Sequence, residues 1–294
     1  MISEILYFVI LGLMTGSLYS LLGLGMNVIF GVLRLVNISH GDMLTVGAYV
    51  GVALALAGLR SPWISMAVGV GAVAILGLLI ARILISPITT QGRVDEQRGM
   101  VITLGLSLVL PNLILEIFGP DYQRVPGKFM SGSVMIGALP VDKQRLAIFI
   151  GSILLAGGLM LFLRLTRLGR AIRAVGENPE AAQASGISVR RIHLLTFTLG
   201  AALAGAAGAL VMPVTYAFPA MGLGYTLYSI SVVIIGGRGS VRGALIAGLM
   251  LGVAESLSVL WVASGYNALV APVLMLLTLI LRPQGLFGQK PGRV

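Results

Sequence analysis

The sequence predicts an all-α fold, a polytopic membrane helix bundle with about 8–10 transmembrane helices and a short cytoplasmic helix. Three observations predict it. Hydrophobic residues make up 57% of the 294 residues and charged residues only 10%, against about 25% charged in soluble domains. Apolar runs of roughly 17–25 residues, the length that crosses a hydrocarbon core, recur from end to end. Between them no stretch is long and polar enough to fold alone. Residues 1–294 are therefore read as a single transmembrane domain whose backbone is satisfied within helices.

The runs fall near 5–30, 42–58, 63–84, 99–119, 145–165, 194–213, 222–236, 244–262 and 267–281, with nine as the working number. The first is long, and with Gly23, Gly25 and Asn27 inside it reads as a helix followed by a broken half-helix. It also exceeds a signal-peptide core and follows Met1-Ile2-Ser3-Glu4 with no basic region, so it is expected to remain as a span. The seventh is short for a full crossing and has a re-entrant segment as its alternative. Glycine, 40 of 294 residues, is about twice its usual frequency. Small residues recur at i, i+4 spacing in Gly12/Gly16, Gly47/Gly51, Ala201/Gly205 and Gly248/Gly252, which brings helix backbones close in lipid. These pairs are assigned to packing.

Charge orients the bundle. Fifteen of the 20 Lys and Arg fall in segments 31–41, 82–98, 164–193, 236–243 and beyond 281, and five (Arg60, Arg124, Lys128, Lys143, Arg145) on the other side. The positive-inside rule makes the first set cytoplasmic, with the N-terminus outside and the C-terminus inside. Topology accounts for most of the net charge of +10, so no nucleic-acid partner is required. The loop 120–143 is then extracytoplasmic. Its turn residues and the run Ser133-Val134-Met135-Ile136 predict a small hairpin over the outer mouth, either a docking cap or an ordinary connector.

Segment 164–193 is a polar, Arg-rich island between two apolar runs. Arg164, Arg167, Arg170 and Arg173 recur every three residues, roughly along one face of a helix continuing at the membrane surface. Snorkelling toward anionic lipid headgroups is their simplest role. The island also holds a delimited two-turn helix. Asn178 is an N-cap, Pro179 suits the first helical position and Glu180 the positive end of the dipole. Ala181, Ala182, Gln183 and Ala184 favour helix, and Gly186 is a C′ stop. A helix this short is marginal in water, so packing on the membrane domain or a partner must hold it.

Glu180-Ala181-Ala182 followed by Gly186 resembles the EAA-xxx-G loop of ABC-importer permeases, although the downstream Ile-x-Leu-Pro portion is absent. Three longer stretches resemble the branched-chain amino acid ABC transporter permease family, and its shorter, LivH-type inner-membrane subunit in particular. They are Arg34-Leu-Val-Asn37-Ile-Ser-His40-Gly41-Asp42 through Tyr49, Arg170 to Ala182 with Gly186-Ile-Ser-Val-Arg190-Arg191, and Ile234-Ile-Gly236-Gly-Arg-Gly239-Ser-Val-Arg-Gly243. The resemblance covers nearly the whole chain. It implies a permease subunit of a bacterial inner-membrane importer for branched-chain amino acids, or for urea, an amide or another small carboxylate. The implied partners are a second permease, homologous or identical, two ATP-binding cassette ATPases gripping Asn178 to Gly186, and an extracytoplasmic binding protein. This chain binds no cofactor on that reading, because ATP is used by the partner subunits.

Candidate pathway residues break the apolar pattern. Asn37 suits a pore-lining half-helix, whereas His40 has either a capping and packing role or a substrate or gating contact. Asp42 is read as a cap for the following span. Pro111-Asn112 is a deep polar break. Glu255, about eleven residues into its run, is placed near mid-bilayer and expected to face inward, as an inter-helix tie or a substrate contact. Gly236 to Gly243 lacks the Gly-Lys-Ser/Thr ending of a phosphate loop; it reads as a tight cytoplasmic turn, and as a faint repeat of the broken region at 31–42.

With no cysteine and with His40 and His193 lacking partners at ligand spacing, neither a metal site nor an enzyme is expected. An ion-coupled secondary transporter is the alternative, but its ionisable intramembrane chains reduce here to Glu116 and Glu255.

Overall fold

The computed structural model describes residues 2–59, 61–90, 92–124, 132–136, 139–261 and 266–288. Among these, seven helices are long and apolar enough to cross a membrane. The shorter apolar helices His40–Leu56 and Asn267–Leu281 bring the number to nine. Arg60, Lys128, Lys290 and Arg293, four of the charges used for orientation, lie outside the described residues, as do Pro126, Gly127 and Gly137.

The first helix, α1 (Ile2–Leu33), is continuous through Gly23, Gly25 and Asn27, which corrects the broken half-helix expected there. The polar break never forms because the Asn27 side chain is used outside its own helix. Its amide donates to the Ser240 carbonyl at 2.8 Å, and its oxygen accepts from the Gly239 N–H at 2.7 Å.

The expected small-residue pairs meet one another. Gly12 and Gly16 of α1 face Gly248, Gly252 and Val253 of α10 (Val241–Ser258), where a methyl added at Gly16 would come within 2.8 Å of the Gly248 carbonyl. Gly47 of α2 (His40–Leu56) abuts Gly205 of α8 (Val189–Val211). The α3 helix (Pro62–Ile80) lies antiparallel to α8, with Gly69 near Gly205 and Gly77 near Ala201. Burial ranks the layers. In α8, 78% of the most apolar window is buried, but only 17% in α4 (Glu96–Phe118), so α8 is central and α4 peripheral.

After Leu33 the chain takes a left-handed turn at Arg34, φ +54°, and runs back beside α1. His40, the first residue of α2, therefore lies against Leu22 and Gly25 rather than at the end of α1. A second return segment follows α8 and enters α9 (Gly222–Gly236) through a 3-10 turn at Pro219–Met221. The two returning helices begin side by side. The Gly41 N–H donates to the Thr226 hydroxyl at 2.9 Å, and that hydroxyl donates to the Ile38 carbonyl at 3.1 Å. The counterpart of 34–39 is thus 212–221, not 236–243. The latter is the turn joining α9 to α10, docked on α1 with Arg238 over the Phe30 ring at 5.6 Å.

Beyond α4, strands β3 (Ser133–Ile136) and β4 (Leu139–Asp142) pair antiparallel, which is the expected hairpin. Asp142 then caps α5 (Lys143–Leu165) by accepting from the Gln144 N–H at 2.7 Å. The last apolar helix, α11 (Val270–Leu281), packs on α9, and the chain after it returns to that helix's end, Leu286 N–H donating to the Ile235 carbonyl at 2.8 Å.

Candidate functional site

The Arg-rich island contains two helices. The run expected to continue from α5 breaks at Thr166, which is extended and caps α6 (Arg167–Glu177) by accepting from the Gly169 N–H at 2.9 Å. Arg164 therefore belongs to α5, while Arg167, Arg170 and Arg173 belong to α6. That helix is amphipathic: Gly169, Ile172 and Val175 are buried, and Gly176 approaches the Gly31 carbonyl near the end of α1.

The capped helix α7 (Pro179–Ala184) follows directly. The Asn178 side chain accepts from the N–H groups of Glu180 and Ala181, both at 3.0 Å. Gly186, at φ +82°, turns the chain toward α8 while the Ile187 N–H returns to the Ala182 carbonyl at 3.0 Å. Ala182 alone in α7 is buried; Glu180, Ala181, Gln183 and Ala184 are exposed. One small apolar side chain anchors the helix, and four of its six residues are exposed.

The sequence reading missed how α7 is braced. The connector after α3 carries a two-residue hairpin, β1 (Thr89–Thr90) with β2 (Arg93–Val94), that reaches α7. Arg93 pairs with Glu180 at 3.0 Å, and Arg190 at the start of α8 donates to the Ser86 hydroxyl. Nothing local in 81–95 signals this contact; only the clustering of basic residues at one end of the spans hinted at proximity.

The pathway candidates separate into three places. In the return segment, the fully buried Asn37 accepts from the Ser39 hydroxyl at 2.8 Å, and its backbone carbonyl accepts from the His40 N–H at 3.1 Å. His40 is also fully buried, with Nε2 3.1 Å from the Leu22 carbonyl. Asp42 lies in the first turn of α2, as expected, although Ser39 and not Asp42 holds the N-cap position. Its carboxylate lies against Gly222, at the start of α9, because the returning loop brings the two helix starts together.

Asn112 stands apart on the exposed face of α4, its amide donating to the Leu108 carbonyl at 2.7 Å. Glu255 lies three residues before the end of α10, which stops at Ser258. It does face inward. The Tyr228 hydroxyl donates to its Oε1 at 2.6 Å, and Tyr228 stacks on Tyr19 with ring centroids 4.3 Å apart. Tyr225, one turn earlier on α9, lies 6.4 Å from Tyr228 between centroids. These tyrosines were also missed. Their signal is the i, i+3 spacing of Tyr225 and Tyr228 on one helix face.

Comparison with known proteins covers almost the whole chain. The family model described as branched-chain amino acid transport system / permease component matches residues 8–280. The high-affinity branched-chain amino acid transport system permease protein LivH of Salmonella typhimurium is 31% identical over 95% of this chain and 94% of its own length. The LivM permease protein of the same organism is 29% identical, over 92% of this chain and 67% of its own. A solved structure, PsaBC from Streptococcus pneumoniae in complex with Fab, shares the fold with TM-score 0.52, 15% identity and 98% of each chain covered.

Proposed function

We propose a function from one premise: this chain belongs to the branched-chain amino acid transport permease family. It is a multi-pass membrane permease subunit and not itself an enzyme. In our reading it works in an ATP-driven importer of the bacterial inner membrane, carrying branched-chain amino acids or a related small carboxylate. The N-terminus faces outside and the C-terminus the cytoplasm, as the basic residues favour.

One observation carries the coupling role. A capped helix with a single buried residue, Ala182, presents Glu180, Ala181, Gln183 and Ala184 outward from the Arg-rich end of the bundle. Alone it is too short to persist in water, yet its cap, its Gly186 exit and the Arg93 pair hold it formed. We assign that surface to an ATPase subunit, one on each of two permeases. The second permease is a homologous or identical chain; the similarity to both LivH and LivM of one organism supports a homologous pair. An extracytoplasmic binding protein delivers solute, and ATP is consumed by the partners.

Affinity purification of the tagged chain from its own membranes tests this. Co-purification of an ATP-binding cassette subunit is expected, with uptake of labelled L-leucine lost in Glu180→Arg. Absence of any ATPase together with unchanged uptake in Glu180→Arg defeats the reading.

A further inference from the structure

A cavity of about 230 Å³ lies between α1, α5 and the segment from Val211 to Tyr225, on the hairpin side of the bundle. It is smaller than the ~300 Å³ at which sites for drug-sized ligands begin, so it suits a solute of amino-acid size. Its wall has three chemistries. Leu18, Ile148 and Val211 give a branched aliphatic surface, Arg145 supplies a cation, and Tyr19 and Tyr225 form a polar side.

Arg145 is the telling residue. It is half-buried at the start of α5, and among the described residues no hydrogen bond or ion pair engages its guanidinium. A partly desolvated cation without a partner is costly unless an anion joins it, and a guanidinium fits a carboxylate bidentately. Behind the tyrosines stands Glu255, whose Oε1 accepts from Tyr228 while its buried Oε2 has no partner. The cavity wall thus carries a cation that favours an anion, and the carboxylate behind its tyrosines favours a cation.

We propose that this cavity is a binding site for a small aliphatic amino acid, its carboxylate on Arg145, its ammonium toward the Tyr19–Tyr225 side backed by Glu255, and its branched side chain against Leu18, Ile148 and Val211. The choice of amino acid over other solutes rests on the importer reading above; the polarity of the site rests on the geometry.

The test is equilibrium binding of labelled L-leucine to the assembled, detergent-solubilised transporter without any binding protein, competed with L-leucinol, which lacks the carboxylate. The unmodified transporter is expected to prefer leucine, and Arg145→Gln to shrink that preference about tenfold or more, the size of one charge-assisted contact. Arg145→Lys should recover part of it. Ile148→Phe, which fills the cavity, should exclude leucine before alanine. No leucine binding by the unmodified transporter, or an unchanged leucine/leucinol ratio in Arg145→Gln, overturns the site. Uptake by the unmodified transporter with its binding protein, measured separately, decides the importer reading on its own.

Discussion

Arg93 and Glu180 join a connector hairpin to the capped helix through an ion pair of 3.0 Å whose two side chains are 65% and 69% exposed. So open a pair contributes little to stability, about 0–1 kcal/mol at most. The pair therefore positions α7 more than it holds the protein together. Arg93→Ala should leave the melting temperature in detergent within a degree or two and lower uptake modestly. The reversed pair, Arg93→Glu with Glu180→Arg, should restore the local contact but not uptake, if the Glu180 charge is also read by the ATPase. Full uptake in the reversed pair would make Glu180 a brace and nothing more.

Asn178 carries the cap of a six-residue helix with two accepted hydrogen bonds. Removing it in Asn178→Ala costs about 1 kcal/mol locally, enough to unwind a helix this short. Co-purification of the ATPase should fall several-fold while the membrane domain melts as before, and Asn178→Ser should restore it. Equal recovery from Ala and Ser variants would show that the cap is dispensable for docking.

These two cases mark what can be read from sequence. The cap, the stop and the length of α7 are local signals, each written in adjacent residues. The nine apolar helices are legible for the same reason, and so are the glycine pairs, because small residues at i, i+4 have few other uses in lipid. What the sequence hid was relational. Asn27 looked like a helix breaker because its partners, Gly239 and Ser240, are supplied from the far end of the chain. Asp42 looked like a cap for its own helix because nothing near it announces Gly222. Arg93, Tyr19, Tyr228 and Arg145 gain meaning only from neighbours across the bundle, and hydropathy sees them as scattered polar atoms.

The α1–α10 crossing makes a prediction about packing alone. A side chain at Gly16 meets the Gly248 carbonyl and Leu249 backbone at 2.8–2.9 Å, whereas one at Gly71 meets nothing within 4 Å. Backbone cannot move aside cheaply, so Gly16→Val should part the helices and sharply reduce the folded, membrane-extracted protein. Gly71→Val should accumulate normally. Size-exclusion profiles of the two variants check this, and a normal Gly16→Val profile would mean that the crossing is looser than the structure shows.

Tyr228 and Glu255 allow structure and transport to be separated. In Glu255→Gln the carboxamide oxygen still accepts from the Tyr228 hydroxyl, so the tie between α9 and α10 survives and only the charge is lost. In Tyr228→Phe the opposite holds: the charge stays, but Oε1 joins Oε2 in having no partner. Leaving a buried acceptor unmade costs about 1–3 kcal/mol. Tyr228→Phe should therefore melt several degrees lower in detergent, and Glu255→Gln close to the parent. Uptake should rank differently. If Glu255 faces the solute, Glu255→Gln loses transport about tenfold despite normal stability, because one charge contact is worth that much. Parental uptake in Glu255→Gln, beside a destabilised Tyr228→Phe, would reduce Glu255 to an inter-helix tie.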